Sequence, residues 1–340
     1  MRIQVAQLDG IYHNYALYDM MYGRKAYARS QEALAIVTMV EAAMQDIVPQ
    51  EDRLRVIELF SGEHTMISYL GHYSKLFRSD ACVYTTQDGL SGGDLSHIDL
   101  FTDYVEVPDD APPFNLALVP FYSINGAGPL SHKQQKQAVV CPPSTVHLMT
   151  LFANVGKYLG FDSQPKSKGK KRKAAALKSA MYLQFDPYPS IENLQEMLAD
   201  ADWYIHDIPH GHPLLTAFDL HEDDDWVLKY RVHHTWDRES SVLWDHFPEG
   251  AYICPKDSPK KPFVSIRFAS SMFRKYWTED QILNAMQRSG FSRFNLYNAS
   301  NQPIIGGGSD FLIQKLSNTE DSEAAQVDEL LPVNSILALP

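Results

Sequence analysis

Apolar residues along this chain follow two patterns, and the change falls near residue 209. Before it, runs of strand length alternate with segments of helical period. Ser30 to Val48 predicts a helix: Ser30 caps it, Leu34, Val37, Val40, Ala43, Met44 and Ile47 keep the period, and Pro49 ends it. The preceding "YDMMYGRKAYAR" also reads as helical. Then come the strand-length run "LRVIEL" (Leu54 to Leu59), a helix-like "HTMISYLGHYSKLF" (His64 to Phe77) and the strand "ACVYTTQD" (Ala81 to Asp88). "FNLALVPFYSI" (Phe114 to Ile124) is the strongest strand signal, apolar on both faces as a central parallel strand must be. A helix over Ser144 to Tyr158 and a strand over Ala180 to Phe185 follow. Strands alternating with helices predict crossovers and a mostly parallel sheet, hence an α/β class.

Beyond Pro209 the period shortens. "DDWVLKYRVHHTWDRESSVLWDHF" (Asp224 to Phe247) alternates like an antiparallel hairpin, and "KPFVSIRFASSMFRKYW" offers a third strand. Thr278 and Gln281 form a capping box that opens a helix stopping at Gly290. "FSRFNLYNA" and "SDFLIQKL" predict a closing hairpin at the sheet edge, and the acidic stretch after Ser317 reads as a loose tail with an apolar end.

Composition narrows the function. The 340 residues are 44% apolar, enough for one large domain with an elaboration or two smaller ones. The net charge of −12 disfavours a broad grip on nucleic acid. The one basic run, "KSKGKKRK" (Lys166 to Lys173), reads as a solvated insertion, with a docking or targeting patch as the other reading. No apolar stretch is long enough to span a membrane, and the N-terminus lacks the apolar core of a secretory signal. Three scattered cysteines (Cys82, Cys141, Cys254) argue against a disulfide framework or a cysteine-rich zinc site, so a cytoplasmic, reducing location is the expectation.

The chemistry centres on "RVIELFSGEH" (Arg55 to His64). A strand, a tight turn and a helix N-terminus make a pocket where backbone N–H groups face a ligand. Neither G-x-G-x-x-G nor G-K-[ST] is present, so a dinucleotide and a phosphate-cradling loop both lose support. A ligand without phosphates needs fewer glycines, and Asp88, at the end of the next strand, is placed to take ribose hydroxyls.

In that order, "VIELFSGEH", Asp88 and "FNLALVPFYSIN" resemble the motifs of class I S-adenosylmethionine-dependent methyltransferases, particularly the small-molecule type. That family's first motif reads as an acidic residue followed by G-x-G-x-G. Glu58 and Gly62 match it, while Phe60 and His64 stand at the outer glycine positions. The likeness runs from about Tyr18 to Leu316, with the basic run as a departure. It implies a Rossmann-like, mostly parallel sheet with an antiparallel C-terminal hairpin and an inserted cap of antiparallel strands. The expected divisions are a helical lid (1–50), a cofactor core (51–208, with the insertion at 166–173), a cap (209–277), a closing helix and hairpin (278–316) and a tail (317–340).

The resemblance implies S-adenosyl-L-methionine as cofactor, held by Glu58, Phe60, Gly62, His64 and Asp88, with Pro120 and Phe121 beyond the fourth strand and Tyr22 closing from the lid. Asp103 is favoured over Asp99 and Asp109 as the adenine partner. The acceptor would sit by Tyr122, Ser123 and Asn125, with Trp236 from the cap. A small-molecule acceptor fits "PFYSIN" best; the D/N-P-P-Y/F tetrad of exocyclic-amine DNA enzymes is absent. "ELFSG" is also similar to the first motif of cytosine-C5 DNA enzymes, but "VVCPPS" lacks their nucleophile pattern. Proton removal points to His234 or its neighbour His233, with Tyr122 nearby in the acceptor wall. His206, Asp207, His210 and His212 in "HDIPHGH" have metal-ligand spacing but no glutamate base, and a polar connecting loop is the favoured reading. Two functions stand: methyl transfer to O or N of a small molecule or side chain, or a methyltransferase fold that has lost catalysis and works as a binding or assembly module. No membrane or DNA partner is expected, and a homo-oligomer stays open.

Overall fold

The computed structural model describes residues 3–8, 14–22, 26–44, 54–60, 66–75, 77–85, 99–106, 113–120, 123–131, 139–161, 179–199, 203–221, 223–298 and 333–340. In chain order the elements are β1 (Gln4–Leu8), α1 (Tyr15–Tyr22), α2 (Ala26–Met44), β2 (Leu54–Leu59), α3 (Met66–Tyr73), β3 (Phe77–Thr85), β4 (Leu116–Val119), α4 (Ser123–Gly126), β5 (Leu130–Ser131) and β6 (Val139–Val140). Then follow α5 (Thr145–Tyr158), β7 (Ala180–Gln184), α6 (Ile191–Leu198), β8 (Tyr204–Ile208), α7 (Pro213–Ala217), β9 (Trp226–Tyr230), β10 (His233–Asp237) and β11 (Val242–His246). The chain ends with β12 (Ala251–Pro255), β13 (Val264–Phe268), β14 (Met272–Lys275), α8 (Glu279–Arg288), β15 (Arg293–Asn298) and β16 (Val333–Leu339). They divide into two compact units: Met1–Ala26 with Pro189–Tyr276, and Tyr27–Tyr188 with Trp277–Pro340. These divisions differ from the five expected segments. The first 26 residues go with the middle of the chain, and the last eight go with the parallel sheet.

The second unit is built on a six-stranded sheet in the order β15-β16-β7-β4-β2-β3. Strands β3, β2, β4 and β7 run parallel, and β16 and β15 join antiparallel. Every residue of β4 and β7 is buried, which is why their sequences read as continuous apolar runs. Alternation divides their side chains between two cores. Ile57, Leu59, Ala117, Val119, Met181 and Leu183 pack with α5 and α8 residues such as Leu148, Phe152 and Ile282. Leu54, Val56, Leu116, Leu118, Ala180 and Tyr182 pack with Ile36 and Val40 of α2 and Met66, Ile67 and Leu70 of α3. Helices therefore cover both faces.

Helix α8 opens as its sequence predicts. Thr278 Oγ1 accepts the Gln281 N–H at 3.2 Å, Gln281 Oε1 accepts the Thr278 N–H at 3.0 Å, and Gly290 follows the helix at a φ of 102°. Ser30 does not cap α2: the helix begins at Ala26, because no breaker separates "AYAR" from the run that follows. The Phe114–Ile124 run holds only a four-residue strand, since Pro120 ends β4 and Ser123 starts α4.

The closing hairpin differs most. β15 pairs with β16, whose registers run Phe294↔Ala338 and Leu296↔Ile336, and β16 also pairs with β7. Residues 309–316, the expected partner, lie outside the described residues. The last residues of the supposed tail form an interior strand, with Ser335 to Leu339 buried.

The first unit holds a five-stranded sheet, β1-β13-β12-β9-β8, and a three-stranded sheet, β10-β11-β14. β10 and β11 form the expected antiparallel hairpin, but β9 belongs to the other sheet, because the chain leaves extended pairing at Arg231 and Val232. "KPFVSIRFASSMFRKYW" gives two strands, β13 and β14, one in each sheet. β1, unrecognised in the sequence, pairs parallel to β13, and Leu17 and Met21 of α1 enter this unit's core.

Ending the chain at residue 332 removes β16 and uncovers β7 and β15 together. We expect the second unit to lose its cooperative thermal transition by circular dichroism, whereas a tail without a structural role would leave the transition unchanged.

Candidate functional site

β2 lies inside the sheet with parallel neighbours on both sides, β3 and β4. From β2 the chain goes to β3 on one side and returns to β4 on the other. Such a reversal leaves the carboxyl ends of the two inner strands facing a crevice, the usual place for a ligand in an open parallel sheet.

Glu58, the penultimate residue of β2, is fully buried. Its Oε1 accepts the Met66 N–H at 2.8 Å and its Oε2 accepts the Ile67 N–H at 3.0 Å. These amides open α3 and have no partner within their own helix, so the Glu58 carboxyl oxygens satisfy the helix end. Burial pushes the Glu58 carboxyl up to about 8, against the lowering effect of the two amide bonds. Both oxygens are thus engaged by the protein itself.

Phe60 follows directly, with a φ of 56°. This left-handed region suits glycine and costs an ordinary residue on the order of 1–2 kcal/mol. The sequence sets Phe60 where the similar family has glycine, and the backbone adopts a glycine conformation there. Its ring does not stand alone: it stacks on Phe101 at 5.7 Å between centroids and 19° between planes, and it packs against the core under α5.

Phe101 belongs to a tight loop. Asp99 Oδ1 accepts the Phe101 N–H at 3.0 Å, Asp99 O accepts the Asp103 N–H at 2.8 Å, and Asp103 Oδ2 accepts the Asp99 N–H at 3.1 Å. Asn154, fully buried on α5, pins the same loop. It accepts the Val105 N–H at 3.0 Å and donates to Leu100 O at 3.0 Å and Asp103 O at 2.6 Å. Asp103 is exposed and closes this turn, while Asp99 is buried. Neither Phe101 nor Asn154 was singled out from sequence. The available signal was an asparagine within the apolar stripe Leu148, Leu151, Phe152, Val155.

At the end of β4, Pro120 is buried and its carbonyl accepts the Ser123 N–H at 3.1 Å and the Ser123 hydroxyl at 2.6 Å. Asn125 is buried, and its Oδ1 accepts the Asp186 N–H at 2.8 Å, tying α4 to the chain leaving β7. Ser123 and Asn125, two of the four side chains expected at the acceptor, therefore bond backbone of this unit. Gly62, His64, Asp88, Phe121 and Tyr122 lie outside the described residues, as does Asp109.

The first unit carries His234, Trp236 and Tyr22. His234 sits opposite Asp245 in the β10–β11 register, and its Nδ1 lies 2.8 Å from Asp245 Oδ1. Arg274 Nη2 of β14 approaches the same oxygen at 3.3 Å. Burial raises the Asp245 carboxyl, but the His234 hydrogen bond and the Arg274 charge outweigh it and hold the group below its ordinary value. A carboxylate needs a donor, so Nδ1 carries a hydrogen and the neutral ring keeps its lone pair on Nε2. His233 points to the opposite face, with Nε2 3.4 Å from Glu249. Trp236 packs beside Tyr276 at 5.8 Å between ring centroids. Tyr22 ends α1.

The residues of "HDIPHGH" separate. His206 meets the Tyr230 hydroxyl at 3.2 Å, Asp207 pairs with Lys256 at 2.9 Å, His210 lies 3.6 Å from Asp225, and His212 caps α7. Among the described residues no group of three or more His, Cys, Asp or Glu side chains converges as a metal site. Among them too, no helix is long and apolar enough to cross a membrane.

No family model matches the chain, and no curated protein matches it. Solved structures do. DesVI of Streptomyces venezuelae aligns at a TM-score of 0.49 with 12% identity, covering 95% of this chain and 96% of that one. An S-adenosylmethionine-dependent methyltransferase of Clostridium acetobutylicum aligns at 0.47 with 10% identity, covering 96% and 97%. CalS10, an amino pentose methyltransferase of Micromonospora echinaspora with S-adenosylmethionine bound, aligns at 0.46 with 11% identity, covering 96% and 95%.

Glu58 makes stability depend on pH. Its folded value of about 8 exceeds the ordinary 4.5, so the folded state holds the proton more tightly. That contribution is complete below pH 4.5 and is lost as pH rises through about 8. Urea unfolding of wild type and Glu58→Gln across this range should show wild type losing stability relative to the variant. Parallel curves would contradict the assignment.

Proposed function

We propose that the chain is an S-adenosylmethionine-dependent methyltransferase with a Rossmann-like core, acting at O or N of a small molecule or side chain. The observation that carries this reading is the turn after β2. A glycine conformation at Phe60 follows the buried Glu58 at the point where a parallel sheet reverses its strand order. The sequence there lacks the phosphate-cradling pattern of a dinucleotide or triphosphate site, which favours a ligand with a cationic centre.

In this reading the turn from Phe60 through Gly62 and His64 supplies backbone to the methionine end of the cofactor. Asp88 takes the ribose hydroxyls, and Asp103 marks the loop for adenine. Glu58 acts through the backbone it fastens, since both its oxygens are occupied by α3 amides. Pro120 and Phe121 line the end of β4, with Tyr122, Ser123 and Asn125 around the acceptor; Trp236 of the first unit is a separate candidate for an aromatic contact. When bound, the cofactor would supply a methyl group on a sulfonium, open to an acceptor lone pair with the neutral thioether as leaving group. The candidate base for the proton lost from O–H or N–H is His234 of the first unit, whose ring Asp245 orients through Nδ1. Tyr122 is the other candidate for a contact with the reacting group.

Calorimetric titration with S-adenosylmethionine and S-adenosylhomocysteine tests the reading. Binding of both in the micromolar to millimolar range, lost in Asp88→Ala, is the expected result. Absence of binding to wild type up to millimolar ligand would overturn it.

A further inference from the structure

A phenylalanine at a glycine position invites the view that its side chain obstructs the site. The geometry gives it another task. The Phe60 ring is drawn against Phe101 and the core beneath α5, and Phe101 itself is fully buried. The stack therefore joins two backbone segments far apart in sequence: the turn that leaves β2 and the loop over Asp99 to Val105. Within that loop Asp99 and Asp103 bond each other's segment and Asn154 holds three backbone groups, so a ring stacked on Phe101 acts on the loop as one piece. Phe60 brings the left-handed backbone at the end of β2 to that loop.

We propose that Phe60 is a positioning residue: by stacking on Phe101 it locks the left-handed backbone at the end of β2 to the Asp99–Val105 loop, so that the two segments meet the cofactor in fixed relative position. In a glycine turn the conformation is accessible but not enforced, because glycine populates many others. Here the conformation is unfavourable for the residue and is imposed by its side chain's packing, which selects one geometry. Two rings thereby replace the usual glycine, and restoring glycine removes the lock. The role in cofactor binding rests on the function proposed above, whereas the coupling of the two segments stands apart from it.

The experiment compares wild type, Phe60→Gly, Phe60→Tyr, Phe101→Leu and the double variant Phe60→Gly/Phe101→Leu. Native-state hydrogen exchange is read at the amides of Phe101, Asp103 and Val105, and affinity for S-adenosylhomocysteine by calorimetry. Phe60→Gly should speed exchange at the three amides about tenfold or more while amides of β7 keep their rates. Phe60→Tyr, which keeps the ring, should restore wild-type exchange, and the double variant should exchange no faster than Phe60→Gly. Affinity should fall about tenfold in Phe60→Gly and return in Phe60→Tyr. Unchanged exchange in Phe60→Gly, or tighter binding by it, would overturn the proposal. If wild type itself fails to bind, the proposed function falls, and the exchange rates alone decide whether the segments are coupled.

Discussion

A carboxyl group sealed from water against the opening amides of a helix sets the geometry from which the candidate site follows. Glu58 reaches from the end of β2 to Met66 and Ile67, so the strand and α3 are fastened at one point. Phe60, the residue after β2, lies in the left-handed region. Removing the acid would leave two buried donors of the helix end without their acceptor, at about 1–3 kcal/mol each. The acid is therefore structural first, and its effect on a ligand passes through the backbone it holds.

The two units carry different kinds of chemistry. In the second, the groups around the crevice are mostly committed to the protein: Glu58 to α3, Asn125 to Asp186, Ser123 to Pro120, and Asn154 to the Asp99–Val105 loop. What they leave for a ligand is shaped backbone, suited to holding a cofactor. In the first, His234 is oriented by Asp245 and Arg274, an arrangement suited to moving a proton. Each arrangement is assembled from a few contacts within its own unit.

Much of the central sheet was legible because strands buried on both faces leave continuous apolar runs, as β4 and β7 do. The α8 start was legible through Thr278 and Gln281, whose capping is local. β16 was not: its strand character is fixed by pairing with β7 and β15, and its seven residues follow a polar stretch that reads as a tail. β1 was missed for the same reason, since Gln4–Leu8 is mostly exposed at an edge and is defined by its pairing with β13. In the site, sequence order placed Glu58 and Phe60 at the turn. It did not reveal that Glu58 spends both oxygens on α3 or that Phe101 and Asn154 support the neighbouring loop, because those partners come together only in the fold.

The most direct test of the central claim is a crystal structure of the full chain grown with millimolar S-adenosylhomocysteine. The account predicts the ligand across the carboxyl ends of β2 and β4, with its homocysteine end against the turn that Phe60 begins and its adenine toward the Asp99–Val105 loop. A ligand bound elsewhere, or crystals whose β2–β4 crevice stays empty at that concentration, would contradict it.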